Sequence, residues 1–348
     1  MQKKILVIQT AFLGDIVLAT GLLRTLRLRN PEARIVFLTT PVGSELVAKN
    51  SWDLELITFD KRGKDSGWAG FRRILAQVRG IGFDEVFSLH RYPRSTLLAF
   101  LSGAKRIYGF REALGSFFFT HRVSRADHSF ESERNLALLG QHSRDDLIPE
   151  LFTTKEDEEN GDQLLAELDG QPFLALAPSS AWATKRWPVE RFAELAHWAW
   201  VEKGIRSVIL AGPSTEEVNL AGMLVHHFVH ISGRLKQLEG IPLNLGGRTS
   251  LGSMKRVLAR AKAVVANDSA PLHIATAMGK PVVGIYGPTS KDLGFFPLGR
   301  EGSTEVAEVD LYCRPCGKHG HNVCPEAHFR CMRELSSRIV KGKLERFL

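Results

Sequence analysis

No uncharged run in this 348-residue chain is long enough to cross a bilayer, so the sequence carries no helical membrane span. Lys3 and Lys4 precede an apolar run from Ile5, as a secretory leader would begin. Gly14 and Asp15 interrupt that run, however, and no small-residue cleavage site follows. The expectation is a cytoplasmic chain whose membrane contact, if it has one, is peripheral, at the inner face of the inner membrane. Cysteine is scarce: four residues, all near the C-terminal end, too few and too clustered for a disulfide framework in a reducing compartment. There is no internal repeat and no low-complexity tract. Acidic residues are nearly missing from residues 86–125. Arg91, Arg94, Lys105, Arg106, Arg111, Arg122 and Arg125 stand there against Glu112 alone, whereas 126–170 is comparatively acidic. A local basic field of this kind favours an anionic partner: nucleic acid, anionic lipid, or a phosphorylated or carboxylated sugar.

What is present is an ordinary globular composition, 44% hydrophobic and 24% charged, at a length that suits two domains. Ile5-Leu-Val-Ile8 reads as a short buried strand, and a helical pattern opens at Asp15 and stops before Asn30-Pro31. Arg34–Leu38 and Glu85–Leu89 read as further strands. After the polar segment Thr153–Gly170 a second alternating series starts at Phe173–Ala177. It runs through a helix at 188–203 and strands at Ser207–Ala211, Ala263–Ala266 and Pro281–Tyr286. Strand–helix alternation argues for parallel sheet covered by helices. Two such series predict an α/β protein of two Rossmann-like domains, 1–165 and 166–330, with a cleft between them.

Three segments carry candidate chemistry. Asn267-Asp-Ser-Ala-Pro-Leu-His273 leaves a strand and opens a helix, whose free N–H groups and positive dipole end suit a diphosphate. Asp268 would repel a phosphate, so its expected role is capping or orienting neighbours. Ala177-Pro-Ser-Ser180 ends a strand and leads to Ala183-Thr-Lys-Arg-Trp-Pro188, where Lys185 and Arg186 could meet the same anion at the carboxyl end of the sheet. Pro188 is expected in the first turn of the next helix. Asp15, after Gly14, is either a helix N-cap or a carboxylate that takes a proton from an attacking hydroxyl. A helix N-terminus would lower its pKa and burial would raise it, a balance the sequence leaves open. The cysteines fall as Cys313-x2-Cys316-x7-Cys324-x6-Cys331 among His319, His321 and His328. The first pair suits structural zinc; the second half departs from common zinc spacings, and packed or surface thiols remain the alternative.

Together these segments resemble the ADP-heptose:lipopolysaccharide heptosyltransferases, glycosyltransferase family nine. The resemblance rests on Ile5–Ile8 with Leu13-Gly-Asp15, Gly109-Phe-Arg111, Thr184–Pro188, Asn267-Asp-Ser269 with His273, and Tyr286-Gly-Pro-Thr289. The ending Cys313-x-Pro-Cys316, Cys324-Pro325, His328 and Cys331-Met332 is similar to that of second heptosyltransferases. The resemblance implies a GT-B fold, and an inverting transfer of heptose from ADP-heptose to the inner core of lipopolysaccharide. It implies no cofactor and no obligatory metal. It also implies a C-terminal helix, 331–348, that packs back on the first domain. Asp15 would be the general base and Lys185 its catalytic partner on the diphosphate. Ser180, Lys185, Glu216 (or Glu217), Thr249, Asp268, Ser269, Ala270 and His273 would bind the donor. Arg91, Arg94 and Arg111 would meet the anionic acceptor. Ala270 stands where the family often has Gly, and Ala181 where a hydroxyl can occur. Other readings are a protein heptosyltransferase or an epimerase of the same fold, and a silent ADP-heptose binder. A basic nucleic-acid-binding protein is a different class. Against that one, the basic stretch lacks interleaved stacking aromatics, Phe117-Phe-Phe119 apart, so no nucleic-acid partner is expected.

Overall fold

The computed structural model describes residues 2–48, 52–233 and 240–348, which divide into two compact units, Met1–Phe152 and Thr153–Leu348. The first unit is a parallel sheet of six strands: β1 (Lys4–Ile8), β2 (Arg34–Thr39), β3 (Glu55–Thr58), β4 (Glu85–Ser88), β5 (Arg106–Phe110) and β6 (His121–Val123), ordered β3-β2-β1-β4-β5-β6. Ile5 to Ile8 are completely buried, as a parallel strand covered by helices on both faces requires. The second unit repeats this wiring without repeating the sequence. Its strands are β7 (Phe173–Ala177), β8 (Arg206–Ile209), β9 (Leu243–Asn244), β10 (Ala263–Asn267), β11 (Val282–Ile285) and β12 (Thr304–Ala307), ordered β12-β11-β10-β7-β8-β9. Both are doubly wound Rossmann-like sheets. The strand order reverses beside β1 and β4 in one unit, and beside β7 and β10 in the other. Ligands in such sheets bind at the carboxyl ends of those central strands.

Two expectations about boundaries need correction. The division falls before the polar helix Lys155–Leu164 rather than after it. That helix packs on Leu251–Arg260. Gly161 lies so close to Arg256 that an added Cβ would come within 2.5 Å of its side chain, and Arg256 donates to both carboxylate oxygens of Asp162 at 3.0 and 2.7 Å. The closing segment, expected on the first domain, belongs to the core of the second unit. Met332, Leu335, Val340 and Leu344 are fully buried in the core of the second unit with Trp187 and Phe192. The Trp187 indole N–H donates to the Leu335 carbonyl at 2.8 Å. The helix Ser337–Leu344 shows one apolar stripe, and the second unit's own core, exposed beside the helix Val189–Lys203, covers it. No helix among the described residues is long and apolar enough to cross a membrane.

Candidate active site

In the first unit, β1 runs into the helix Leu13–Leu18, whose N-cap is Phe12. Asp15 is the third residue of that helix, not its cap. Its carboxylate accepts from the backbone N–H groups of Phe12 and of Asp15 itself. Despite these bonds its pKa is raised from 3.8 to about 7. Burial of the carboxyl is the largest cause and the charge of Glu131 the next, with Arg125 opposing. Desolvation therefore outweighs the helix terminus. Arg125 is largely occupied elsewhere, since its guanidinium donates to both oxygens of buried Glu131, at 3.0 and 2.5 Å. Nothing in the sequence singled out Glu131 as a neighbour of Asp15, because the two lie far apart along the chain.

At the end of β4, His90 Nδ1 lies 2.8 Å from Ser95 Oγ and 3.1 Å from Thr10 Oγ1, and Lys61 Nζ donates to the Thr10 carbonyl at 2.7 Å. Burial, then the charges of Lys61 and Arg91, lowers the His90 pKa to about 4, so the ring is neutral at physiological pH. Lys61 is itself lowered, by burial first and then by Arg94 and Arg62. Cations here crowd one another. No sequence motif marks Thr10, Lys61 or His90, and only their place beside the strand-order reversal does so. The loop after Arg111 is fastened at the backbone: the Arg91 carbonyl accepts from Leu114 N–H at 3.4 Å and the Arg111 carbonyl from Ser116 Oγ at 2.8 Å. Arg94 and Arg111 are exposed.

In the second unit, Lys185 closes a short 3-10 turn, Ala183–Lys185, and is almost wholly buried. Its Nζ stands 2.6 Å from Asp268 Oδ2 and 3.4 Å from the Asp268 carbonyl. Thr289 Oγ1 donates to the same Oδ2 at 2.7 Å. Asp268 thus orients Lys185 rather than capping the helix, whose N-cap is Ser269. An ammonium has three protons, and one remains for a ligand. Asn267 fastens the two loops together, donating to the Pro178 carbonyl at 2.7 Å and accepting from Trp187 N–H at 3.2 Å. The helix Ala270–Ala277 follows, with Pro271 in its first turn. Ser269 Oγ and His273 Nδ1 are both buried without a hydrogen-bond partner among the described residues. Burial holds the His273 pKa down to about 4, so the imidazole is neutral. Buried polar atoms are rarely left unmatched, and these two lie on the first turns of a helix that begins beside an ammonium group. The arrangement fits an anionic ligand.

Ser180 joins this group through its carbonyl, which accepts from Arg186 Nε at 2.8 Å; Arg186 in turn pairs with Glu216. Glu217 instead accepts from Ser214 Oγ at 2.8 Å, within its own helix start. Of the two glutamates, Glu216 is therefore the one tied to the site. Thr249 lies in the turn between β9 and the helix Leu251–Arg260. Pro188 is the N-cap of the helix Val189–Lys203, one position before its first turn.

The cysteine segment braces this site. All four cysteines are free, and among the described residues no group of three or more His, Cys, Asp or Glu side chains is arranged to hold a metal ion. Thr184, next to Lys185, donates N–H and Oγ1 to the His321 carbonyl at 3.0 and 2.8 Å, and Oγ1 accepts from His321 N–H at 2.7 Å. A Cβ at Gly320 would come within 2.9 Å of Lys185 Cγ, so the backbone itself walls the lysine. Arg314 donates to the carbonyls of Tyr286, Gly287, Thr289 and Val309 and pairs with Glu308 at 2.8 Å. Because Arg314→Ala would strand several carbonyls beneath a buried side chain, it is expected to cost about 3 kcal/mol of stability. Urea unfolding of the pure variant measures this; an unchanged midpoint would mean water replaces the guanidinium.

Two doubly wound units in one chain, one of them presenting a buried lysine and a helix N-terminus at its strand-order reversal, are the components of a GT-B fold with a candidate anion site. Residues 71–326 match the family described as glycosyltransferase family 9 (heptosyltransferase). The chain belongs to glycosyltransferase family 9. It is 26% identical over 302 residues to lipopolysaccharide heptosyltransferase 2 of Escherichia coli K12, covering 83% of this chain and 84% of that one. Its fold is similar to that of a family 9 glycosyl transferase from Veillonella parvula, with a TM-score of 0.83 at 23% identity, over 100% of this chain and 98% of the other. The E. coli ADP-heptose lipopolysaccharide heptosyltransferase II structure matches with a TM-score of 0.74 at 21% identity, over 99% and 98% of the two chains.

Proposed function

We propose that this glycosyltransferase moves a heptose from ADP-heptose to the inner core of lipopolysaccharide, with inversion at the anomeric carbon, at the cytoplasmic face of the inner membrane. The observation that carries the donor half is the pair of unmatched buried atoms, Ser269 Oγ and His273 Nδ1, beside the Lys185–Asp268 pair. A diphosphate there would take hydrogen bonds from Ser269 Oγ, from the N–H groups at Ser269 and Ala270, and from the remaining Lys185 proton. Neutral His273 could add one more. Glu216 and Thr249 would lie toward the nucleoside or sugar. The acceptor half rests on Asp15, whose carboxyl titrates near neutrality. It can therefore be ionised at working pH and still basic enough to accept a proton.

The reaction then has a simple balance. An acceptor hydroxyl attacks the anomeric carbon from the face opposite ADP, and its proton passes to Asp15. The bond to the β-phosphate oxygen breaks, and the charge that gathers there is met by Lys185 and the helix N-terminus. No cofactor or metal is needed for these steps. The crowded cations Lys61, Arg91 and Arg94, with Arg111, suit the phosphates and carboxylates of an inner-core acceptor.

The direct test is transfer from ADP-heptose to a panel of truncated core acceptors, with the product's anomeric configuration read by NMR. If ADP bound saturably yet every core acceptor failed, the acceptor assignment would be wrong. A retained configuration would remove the single-displacement mechanism. Charge reversal at Arg91 and Arg94 together is expected to raise the acceptor KM roughly ten-fold or more while ADP affinity stays unchanged. Calorimetry with ADP alone separates the outcomes, since a loss of ADP affinity would move these arginines to the donor.

A further inference from the structure

Beside the cations proposed for the acceptor, the first unit holds an apolar hollow whose aromatic residues have no part in the transfer reaction. The helix Gly67–Ile81, the helix Pro93–Leu101 and the loop after Arg111 enclose a cavity of about 540 Å³, lined by Trp68, Phe71, Leu97, Leu114, Phe117 and Phe118. Its rim is apolar yet faces solvent: Trp68 is 72% exposed, Phe117 72% and Leu114 69%. Phe118 stacks on Phe100 at 4.1 Å and touches Phe117 at 4.2 Å, so the exposed rings form one continuous patch. Large exposed apolar side chains grouped around a hollow mark an interaction site rather than ordinary surface.

Charge narrows the partner. Arg94 is part of the cavity wall, and Arg62, Lys64, Arg72, Lys105 and Arg111 are exposed on the same segments or next to them in sequence. The neighbouring acids are turned to local duties. Asp60 accepts from the N–H groups of Gly63 and Lys64, buried Asp65 from the Asp60 N–H, and Glu112 from the Arg125 N–H. Aromatic side chains at an edge with cations beside them are how a protein sits in the headgroup region of an anionic membrane. We propose that this patch docks the enzyme on a bilayer containing anionic lipid, with Trp68, Leu114 and Phe117 entering the interface and a lipid acyl chain occupying the cavity. The proposal deepens the reading of a lipid-borne acceptor and rests on it only for the reason such docking is useful.

The test uses the full-length enzyme without substrates, sedimented with vesicles of phosphatidylcholine, with or without a third of phosphatidylglycerol. Binding is expected to be roughly ten-fold stronger to the anionic vesicles and to weaken with salt. Trp68→Ser with Phe117→Ser should lower it roughly ten-fold again while transfer to a deacylated, water-soluble acceptor stays unchanged. Phe117→Ser alone, at a largely exposed ring, provides a folded variant with an intermediate loss. Failure of the wild-type enzyme to sediment, or undiminished binding by the variants, would overturn the proposal. So would a change of association state in velocity sedimentation, which would assign the patch to a second copy of the chain. Vesicle binding without any heptose transfer would instead sink the proposed activity and leave this surface standing.

Discussion

Asp15→Asn is expected to lower turnover by roughly two to four orders of magnitude, the usual worth of a positioned general base. Asparagine keeps the size of the side chain and an oxygen that can still accept from the Phe12 N–H, so the helix start should survive. Donor and acceptor binding should survive with it. The raised pKa adds two signatures that a merely structural residue would lack. Wild-type turnover should rise with pH through about 7, as the carboxyl loses its proton, and the Asn variant should be flat over that range. His273 and His90, both held near 4, are already neutral there and add nothing to the profile. Stability should move the opposite way. A carboxyl whose folded pKa lies above its unfolded value binds more protons when folded, so stability falls as pH climbs from about 4 to about 7. The Asn variant should match the wild type at pH 4 and melt higher at pH 8. Single-turnover kinetics with melting curves at both pH values decide the matter. A folded variant with near-normal chemistry would reduce Asp15 to a helix-start residue.

Lys185→Ala should show two losses that a second substitution can separate. Nζ and Asp268 Oδ2 lie 2.6 Å apart in a nearly water-free setting, with Thr289 Oγ1 as the other partner of that oxygen. Removing the ammonium leaves a buried carboxylate with one hydroxyl, which should cost about 3 kcal/mol of stability. It also removes the charge expected to meet the leaving diphosphate, so kcat should fall roughly 100- to 1,000-fold and ADP affinity with it. Adding Asp268→Asn removes the stranded charge. The double variant should recover most of the melting temperature and none of the ADP affinity. Should calorimetry show ADP binding restored in the double variant, Lys185 would be a partner for Asp268 and no donor ligand.

Much of this protein was legible in one dimension. Uninterrupted apolar runs such as Ile5–Ile8 and Phe173–Ala177, broken by loops and amphipathic segments, predict parallel sheet because burial on both faces leaves no room for alternation. Asn267–His273 and Thr184–Pro188 were visible as candidate anion loops, since each follows a strand and enters a helix. Where these loops meet was not legible. Asp268 was expected to cap the helix or to orient its neighbours, and only the approach of Lys185 and Thr289 from elsewhere in the fold selects the orienting role. The pKa of Asp15 depended on Glu131 and on burial, neither of which is a local property. The resemblance assigned the C-terminal helix to the first domain, whereas its apolar stripe lies in the core of the second unit. A stripe records that a helix must be covered, and only packing in three dimensions, here with Trp187 and Phe192, decides by what. Local periodicity belongs to the chain because backbone geometry repeats every few residues. Charge, protonation and the docking of distant loops belong to the fold, because they depend on distances between residues that the sequence keeps far apart.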